Sequence, residues 1–273
     1  MSGIQTAVDL RRGGFSWRSA GADRSGTPLV LLHGLTGSRW SWDPQVEAFG
    51  AERPVAAWDV PGYGDSDPLP GELSFAALGD AVAAFADVLG AERIHLAGLS
   101  FGGMIAQYAA VRHPQRIASL TLMSTSPKFG LDGTQPDEWR AARMAPLDEG
   151  LEPIDFAPRV MRAIAGPGIS DAALDSQIRA ASLVSSAGLR RSIEVLVTHD
   201  SRALLGSISA PTMCLVGALD DETPVAYSQA IADGVPGAVL HVVPGAGHLL
   251  NVEAPDAVNA LLRSHIARTE EPT

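Results

Sequence analysis

Six short apolar runs recur along the chain, and they limit its fold more than any other feature of the sequence. The runs are PLVLLHG at 28–34, PVAAWDV at 54–60, RIHLAGLS at 93–100, IASLTLMS at 117–124, PTMCLVGA at 211–218 and AVLHVVPG at 238–245. Each run is continuous rather than alternating, which is typical of strands that are buried on both faces of a parallel sheet.

Helix-like segments separate several of these runs. In the segment 74–90, apolar residues recur every three or four positions, with Ser74 as a predicted N-cap and Gly90 as a predicted C-terminal glycine. The segments 101–114 and 255–266 show the same pattern. Strands that alternate with helices predict an α/β fold, in which a mostly parallel sheet is flanked by helices and connected by right-handed crossovers.

The alternation stops between residues 127 and 208, a stretch longer than a loop in a compact domain should be. It contains several short helix-like segments separated by Gly, Pro and Asp. We therefore predict an α/β core formed by residues 1–126 and 209–273, and a helical cap (lid) formed by residues 127–208, inserted between two late strands. The alternative is a purely structural helical annex.

Both ends of the chain carry simpler predictions. The segments IQTAVDL at 4–10 and FSWRSAG at 15–21 are expected to pair as an antiparallel hairpin at the edge of the sheet. The final segment, ARTEEPT at 267–273, is expected to fray because terminal residues are seldom held by other parts of a fold.

A single serine stands between glycines at the end of the third apolar run. In the segment GLSFGG, Ser100 is flanked by Gly98 and Gly102, with a predicted strand before it and a predicted helix after it. A serine at the apex of such a sharp turn has a strained backbone, and its neighbours must be small because strand and helix crowd together there. This context is that of a nucleophile elbow, which exposes the hydroxyl group and points helix amides at developing negative charge. The alternative is a glycine-rich packing turn.

A serine hydroxyl becomes an effective nucleophile only when a base takes its proton. We expect this base to be His248, which follows the last predicted strand in the segment PGAGH. The imidazole in turn needs a carboxylate to orient it, and we expect Asp220, three residues after Gly217, with Asp221 as the alternative. The other candidate histidines lie within or at the ends of predicted elements: His95, His113, His199, His241 and His265.

The negative charge that develops on an attacked carbonyl needs two hydrogen-bond donors. We expect the first to be the backbone N–H of Phe101, directly after the candidate nucleophile. The second is expected to be the N–H of Leu35, in the segment HGLTG that follows the first apolar run. His33, in the same segment, is predicted to orient this loop rather than to act as a base.

Composition argues against several other functions. The formal net charge is −11 without any cluster of lysines or arginines, which disfavours nucleic acid or an anionic membrane as the main partner. No segment resembles a signal peptide or a membrane helix, and the single cysteine, Cys214, stands in an apolar run, so we expect a cytoplasmic protein. No paired metal-ligand spacing, Walker loop or dinucleotide fingerprint is present, so we expect neither metal nor cofactor. Nothing in the sequence specifies an oligomeric state.

Five motifs together resemble the α/β-hydrolase superfamily: HGLTG, DVPGYGDSD, GLSFGG, GALDDETP and GAGH. The resemblance covers residues 25–268, and within the superfamily it is strongest to the 3-oxoadipate enol-lactonase group, in GLSFGGMIAQYAAVRHPQRIASLTLMSTSP and HLLNVEAPDAV. In that group a serine hydrolase opens a small enol-lactone under a helical cap. The resemblance implies an α/β-hydrolase fold and places Trp139 and Arg140 near the substrate, where an arginine could pair with a carboxylate.

Two loops depart from that group. HGL at 33–35 stands where those lactonases usually have an asparagine–serine pair, and VPGYG at 60–64 replaces their arginine-glycine-histidine form. We predict a serine-dependent hydrolase that cleaves a small-molecule carboxylic ester or lactone through an acyl-enzyme. Two alternatives stay open: a carbon–carbon bond hydrolase that acts on a ketone with the same residues, and a non-hydrolytic ligand-binding or cyclase member of the fold.

Overall fold

A computed structural model describes residues 7–270 of the chain, and residues 1–6 and 271–273 lie outside this description. The strands are β1 (Val8–Arg12), β2 (Phe15–Ala20), β3 (Leu29–Leu32), β4 (Val55–Trp58), β5 (Ile94–Leu99), β6 (Ile117–Met123), β7 (Thr212–Gly217) and β8 (Val239–Val243). They form one sheet in the order β1-β2-β4-β3-β5-β6-β7-β8. From β4 to β8 all neighbouring strands are parallel, so the predicted mostly parallel sheet is confirmed.

Helices connect most of the parallel strands. They are α1 (Asp43–Gly50), α2 (Phe75–Leu89), α3 (Phe101–Arg112), α4 (Pro136–Asp148), α5 (Pro153–Ile164), α6 (Asp171–Ala180), α7 (Ser186–Leu196), α8 (Val225–Gly234), α9 (Leu250–Glu253) and α10 (Pro255–Glu270). The ends of α2 are as predicted: the Ser74 hydroxyl accepts the Ala77 N–H at 3.2 Å, and Gly90 adopts a left-handed φ of 73°. Local capping chemistry therefore sets the ends of this helix.

Apolar side chains are buried on both faces of the sheet, as the continuous runs predict. Leu32 and Trp58 pack on one face with Phe85 of α2, whereas Leu31 packs on the opposite face with Phe49 of α1. All of these side chains are fully buried. Since burial of one such side chain contributes about 1.5–3 kcal/mol, the two cores hold the sheet rigidly between its helices. This rigid sheet positions the loops at its carboxyl edge.

The last strand differs from the expectation of burial on both faces. Val239 and Val242 of β8 are 46% and 44% exposed. Among the described residues β8 pairs with β7 alone, so it forms an edge of the sheet. The apolar composition of this run was therefore misleading, because an edge strand has fewer elements packed against it than a central one.

The predictions for the chain ends have mixed outcomes. β1 and β2 form the expected antiparallel pair, with Val8 opposite Ser19, while residues 4–6 of the first segment lie outside the described part. The prediction of fraying was wrong for residues 267–270, which continue α10. The Glu270 carboxylate accepts hydrogen bonds from Arg53 at 2.9 Å and His95 at 3.1 Å, and these contacts hold the helix end. Residues 271–273 of that segment lie outside the described part.

The four helices α4–α7 all lie between β6 and β7, in the stretch where the alternation was expected to stop. We call residues 127–208 the insertion. An antiparallel bridge between Lys128 and Asp200 joins its two ends. Gln177 of α6 donates to the Ser41 carbonyl at 3.3 Å, and Ser185 donates to the Gly62 carbonyl at 3.2 Å. Because Ser41 and Gly62 follow β3 and β4, the insertion contacts loops at the carboxyl edge of the sheet.

Candidate active site

Ser100 forms the turn between β5 and α3, with φ 53° and ψ −116°. Its N–H donates to the Met123 carbonyl at 2.9 Å, and its own carbonyl accepts the Thr125 hydroxyl at 2.7 Å. A positive φ at a non-glycine residue costs on the order of 1–3 kcal/mol, and it persists only where the surroundings enforce it. Here the end of β6 holds the serine in this conformation from both sides.

The glycines around Ser100 allow strand and helix to touch. A Cβ atom at Gly102 would overlap the carbonyl of Leu32, and one at Gly98 would overlap the backbone of Gly102. A Cβ atom at Gly103 would approach the Thr125 side chain to 2.7 Å. The strand, sharp turn and helix thus occur in the order predicted from the segment GLSFGG, for the steric reason that was expected.

His248 and Asp220 are brought together from the loops after β8 and β7. The Nδ1 atom of His248 lies 3.0 Å and 3.1 Å from the two carboxylate oxygens of Asp220. Both side chains are buried. Burial disfavours the charged imidazolium, but the Asp220 carboxylate outweighs this effect and raises the pKa of His248. Burial likewise opposes ionisation of Asp220, yet the charge and hydrogen bond of His248 lower the pKa of this carboxyl group.

Other donors hold the Asp220 carboxylate in place. The backbone N–H groups of Glu222 and Thr223 donate to Oδ1 at 3.0 and 2.8 Å, and the Thr223 hydroxyl donates to Oδ2 at 2.9 Å. Asp221, the alternative acid, is exposed and makes no hydrogen bond with His248 among the described residues. The tight turn after β7 therefore directs the first of the two aspartates toward His248 and leaves the second exposed.

The loop that carries His248 is held by Glu253, which the sequence reasoning missed. The Glu253 carboxylate accepts the backbone N–H groups of Gly247 at 2.6 Å, Leu249 at 2.9 Å and Gly166 at 3.0 Å. Gly247 and Leu249 flank His248, whereas Gly166 belongs to the insertion. The available signal was the segment HLLNVEAPDAV, which contributes to the family resemblance and contains this glutamate.

The loop after β3 is ordered by His33. The Val60 N–H donates to Nε2 of this ring at 3.0 Å, so Nδ1 carries the proton and donates to the Gly34 carbonyl at 2.8 Å. Burial lowers the pKa of His33, which keeps the ring neutral. The Tyr63 hydroxyl donates to the Leu35 carbonyl at 2.9 Å, so both groups orient the segment around Leu35. This geometry is what the orienting role predicted for His33 requires.

Ser100, His248 and Leu35 line one cavity of about 770 Å³, including its open mouth. Its other walls come mainly from helices of the insertion, with Trp139 and Arg143 contributed by α4. Phe101 is the first residue of α3, where a backbone N–H has no acceptor within its own helix. The carboxyl edge of the sheet thus brings the candidate nucleophile and base to one cavity, while the candidate acid contacts the base and the Phe101 amide directly follows the nucleophile.

The prediction that Arg140 lies near the substrate needs correction. Arg140 lines neither this cavity nor a second one that also reaches Ser100. Its guanidinium pairs with Asp137 at 2.7 Å and with Glu194 at 3.6 Å. An α-helix turns by about 100° per residue, so residues four apart share a face while an adjacent residue does not. Trp139 and Arg143 consequently face the cavity together, with the Arg143 guanidinium carbon 5.0 Å from the Trp139 ring centroid.

Three other titratable groups, His199, His265 and Cys214, are buried and do not line this cavity. Burial lowers the pKa of His199 and of His265 to about 4, and it raises the pKa of the Cys214 thiol to about 12. Within residues 7–270, no group of three or more His, Cys, Asp and Glu side chains is arranged to hold a metal ion. No helix in the same part of the chain is long and apolar enough to cross a membrane.

Comparisons with known proteins agree with this architecture. The chain is 31% identical over 233 residues to the pimeloyl-(acyl-carrier protein) methyl ester esterase of Chromobacterium violaceum, covering 82% of this chain and 87% of that protein. It is 28% identical over 251 residues to 3-oxoadipate enol-lactonase 2 of Acinetobacter baylyi, covering 90% of each. It also spans 66% of a longer relative, 29% identical over 91% of this chain, the dihydrolipoyllysine-residue acetyltransferase component of the acetoin cleaving system of Pseudomonas putida.

Structural comparison gives the same result. The crystal structure of a hydrolase from Pseudomonas aeruginosa PA01 superposes with a TM-score of 0.80 at 29% identity, covering 96% of this chain and 98% of the other. The model of the alpha/beta hydrolase family matches residues 29–261, which include Ser100, Asp220 and His248. Because this match extends over most of the chain and the sheet order and serine turn agree with it, the chain belongs to the alpha/beta hydrolase family.

Proposed function

We propose that this protein hydrolyses a carboxylic ester or a lactone through an acyl-enzyme on Ser100. The observation that carries the proposal is the hydrogen bond of 3.0 Å between His248 and Asp220, because it leaves the Nε2 atom of an oriented imidazole as the base. Ser100 and His248 line the same cavity. Nucleophile, acid and base then follow one another along the chain as serine, aspartate and histidine, which is the order typical of this fold.

In the first half of the reaction, the Ser100 oxygen attacks the carbonyl carbon while His248 takes the hydroxyl proton. The oxyanion that forms accepts hydrogen bonds from the N–H groups of Leu35 and Phe101. The bond to the leaving oxygen then breaks, and His248 returns its proton to that oxygen. Asp220 stabilises the imidazolium throughout and remains ionised.

In the second half, water replaces the departed alcohol. His248 takes a proton from the water as its oxygen attacks the acyl carbon, and the same two N–H groups hold the second oxyanion. Collapse of this intermediate returns the proton to Ser100 and releases the carboxylic acid. For a lactone, the leaving alcohol stays attached to the acyl group, so the product is a single hydroxy acid.

We further propose that the insertion is the lid of this site. The cavity is lined by Trp139 of α4, Phe156 of α5 and Ile193 of α7, and all three helices belong to the insertion. Trp139 stays a proposed substrate contact, and Arg143 takes the place that the family resemblance gave to Arg140. The names of the relatives, a methyl ester esterase and an enol-lactonase, support an ester-like scissile bond.

The test is acid release measured in a pH-stat, which needs no chromophore. Enol-lactones, saturated lactones, short linear esters and β-diketones would be given to the wild type, to Ser100→Ala and to Ser264→Ala. Ser264 is an exposed serine on α10 and serves as the matched control. We expect turnover by wild type and Ser264→Ala, and a loss of roughly 10⁴-fold or more in Ser100→Ala. Equal turnover by Ser100→Ala would refute the mechanism, and cleavage of β-diketones alone would assign carbon–carbon hydrolysis instead.

A further inference from the structure

Ser100 lies where two cavities meet. The second cavity, about 820 Å³ with its mouth, opens between the start of the insertion and the loop after β7. Residues that line both cavities are Leu35, Ser100, Trp139, Arg143 and Glu222. A carbonyl group bound at Ser100 between these spaces can extend one substituent into each of them.

The two spaces differ in chemistry. We call the first cavity the apolar lobe, because its own residues include Phe156, Val160, Met161, Ile164, Leu189 and Ile193. We call the second cavity the polar lobe, because its own residues include Ser126, Lys128, Asp132, Thr134, Asp221 and Tyr227. The six apolar residues named for the apolar lobe belong to helices α5 and α7. Loops after β6 and β7 supply most of the polar residues named for the polar lobe, and Tyr227 of α8 supplies another.

Charges of both signs face the polar lobe. Lys128 is the only lysine in the chain, is half-buried, and makes no ion pair with any residue in the range 7–270. The second cation, Arg143, is 3.7 Å from Glu222. Asp132 and Asp221 add two further carboxylates, and Asp132 accepts the Thr134 N–H at 2.9 Å. Cations and anions are therefore nearly balanced around this space.

We propose that the polar lobe binds an uncharged, hydrogen-bonding arm of the substrate, while the apolar lobe binds a hydrocarbon arm. This inference rests on the function proposed above, since both arms are substituents of the carbonyl group attacked by Ser100. Hydroxyl and amide groups both donate and accept hydrogen bonds, and this lining offers acceptors in Asp132 and Asp221 and a donor in Lys128. The substrate is then an asymmetric ester or lactone with one polar and one apolar side.

Desolvation explains why other arms fit less well. A hydrocarbon arm in the polar lobe would remove water from charged groups without replacing its hydrogen bonds, which is unfavourable. An arm with a net charge would meet like charges as well as opposite ones, so its attraction to one residue is offset by repulsion from another. A neutral polar arm avoids both costs.

The test compares esters that have the same shape and differ in one arm. The glycerol ester and the 2-methylbutyl ester of hexanoic acid form one matched pair, and hexyl glycerate and hexyl 2-methylbutanoate form the reverse pair. In at least one pair we expect kcat/KM of the polar member to exceed that of the apolar member by about tenfold or more, since a site built for hydrogen bonds rejects analogues that lack them. Hexanoylcholine and carboxymethyl hexanoate supply cationic and anionic arms and are expected to be slower than the glycerol ester.

Two variants connect this preference to the polar lobe. Lys128→Met keeps the length of the side chain and removes its donors, so it should reduce the ratio between polar and apolar esters by several fold. Arg140→Met removes a cation that lines neither lobe and should leave the ratio unchanged. The inference is overturned if the apolar member of both pairs is hydrolysed equally well or faster, or if a charged ester is the best substrate. A lack of Ser100-dependent turnover on every one of these esters and on every lactone and ester of the pH-stat panel would instead contradict the proposed function.

Discussion

Glu253 accepts a hydrogen bond at 3.0 Å from the backbone N–H of Gly166, a residue 87 positions earlier in the chain. The same carboxylate binds the N–H groups on either side of His248. In addition, the His248 N–H donates to the Ile164 carbonyl at the end of α5, at 3.2 Å. The loop of the candidate base is therefore attached to residues 164–166 of the insertion, and Glu253 is its positioning residue.

Replacement of Glu253 by glutamine tests this positioning role. A hydrogen bond to a charged group contributes about 1.5–3 kcal/mol, so we expect Glu253→Gln to lower kcat about tenfold or more. The negative charge of Glu253 also raises the pKa of His248, and its removal should shift the acidic limb of the rate profile to lower pH. Glu253→Asp keeps the charge and shortens the side chain, so it should lower kcat with a smaller shift of that limb. If the acidic limb of the rate profile were unchanged in Glu253→Gln, Glu253 would have only a structural role.

The pH dependence of kcat/KM follows from the His248–Asp220 pair. Protonated His248 cannot act as a base, so activity should fall as the pH drops through its pKa. Because Asp220 raises that pKa, we expect the midpoint of the acidic limb to lie above the ordinary histidine value of about 6.5.

Asp220→Asn removes the charge that stabilises the imidazolium. It should move the midpoint downward and lower kcat by roughly 10⁴-fold. Asp221→Asn is the matched control, since this neighbouring side chain is exposed, and it should change the midpoint little. If the two variants had equal effects, the assignment of Asp220 as the acid would be wrong.

The strained backbone of Ser100 predicts that a glycine at this position gives a more stable protein than an alanine does. At φ 53°, glycine avoids the steric cost that a Cβ atom imposes, whereas alanine retains it. We expect the free energy of unfolding of Ser100→Gly to be about 1 kcal/mol higher than that of Ser100→Ala, although neither variant should hydrolyse esters. Denaturant unfolding of the two inactive variants measures this difference, and a less stable glycine variant would show that the turn is not strained.

The contact between strand and helix at Gly102 predicts a large loss of stability. A Cβ atom there would overlap the Leu32 carbonyl, which belongs to a central strand and cannot move aside. Gly102→Ala should therefore destabilise the protein by about 1–3 kcal/mol or more. Gly206→Ala is the control, because a Cβ atom at that position meets nothing within 4 Å. Equal melting temperatures of the two variants would mean that the elbow tolerates a larger side chain.

Much of the site could be predicted because its signals are local. The turn at Ser100 depends on glycines two residues away on either side, and strands buried on both faces need continuous apolar runs. His248 and the aspartates follow such runs directly, so the parallel sheet places them at one edge. These features require only short stretches of sequence to be recognised.

The remaining features depend on how distant segments meet. Sequence alone left Asp220 and Asp221 as alternatives, and the burial of one carboxylate beside His248 separated them. The family resemblance placed Arg140 near the substrate, but the rotation of α4 turns Arg143 toward the cavity and Arg140 away from it. Glu253 binds amides from two separate segments, a relationship that no spacing along the chain encodes. The sequence thus determined the residue types of the site and their order along the chain. Tertiary packing decided which side chains face the cavity, which carboxylate pairs with His248, and how the two lobes form around Ser100. These features depend on distances through space rather than along the chain.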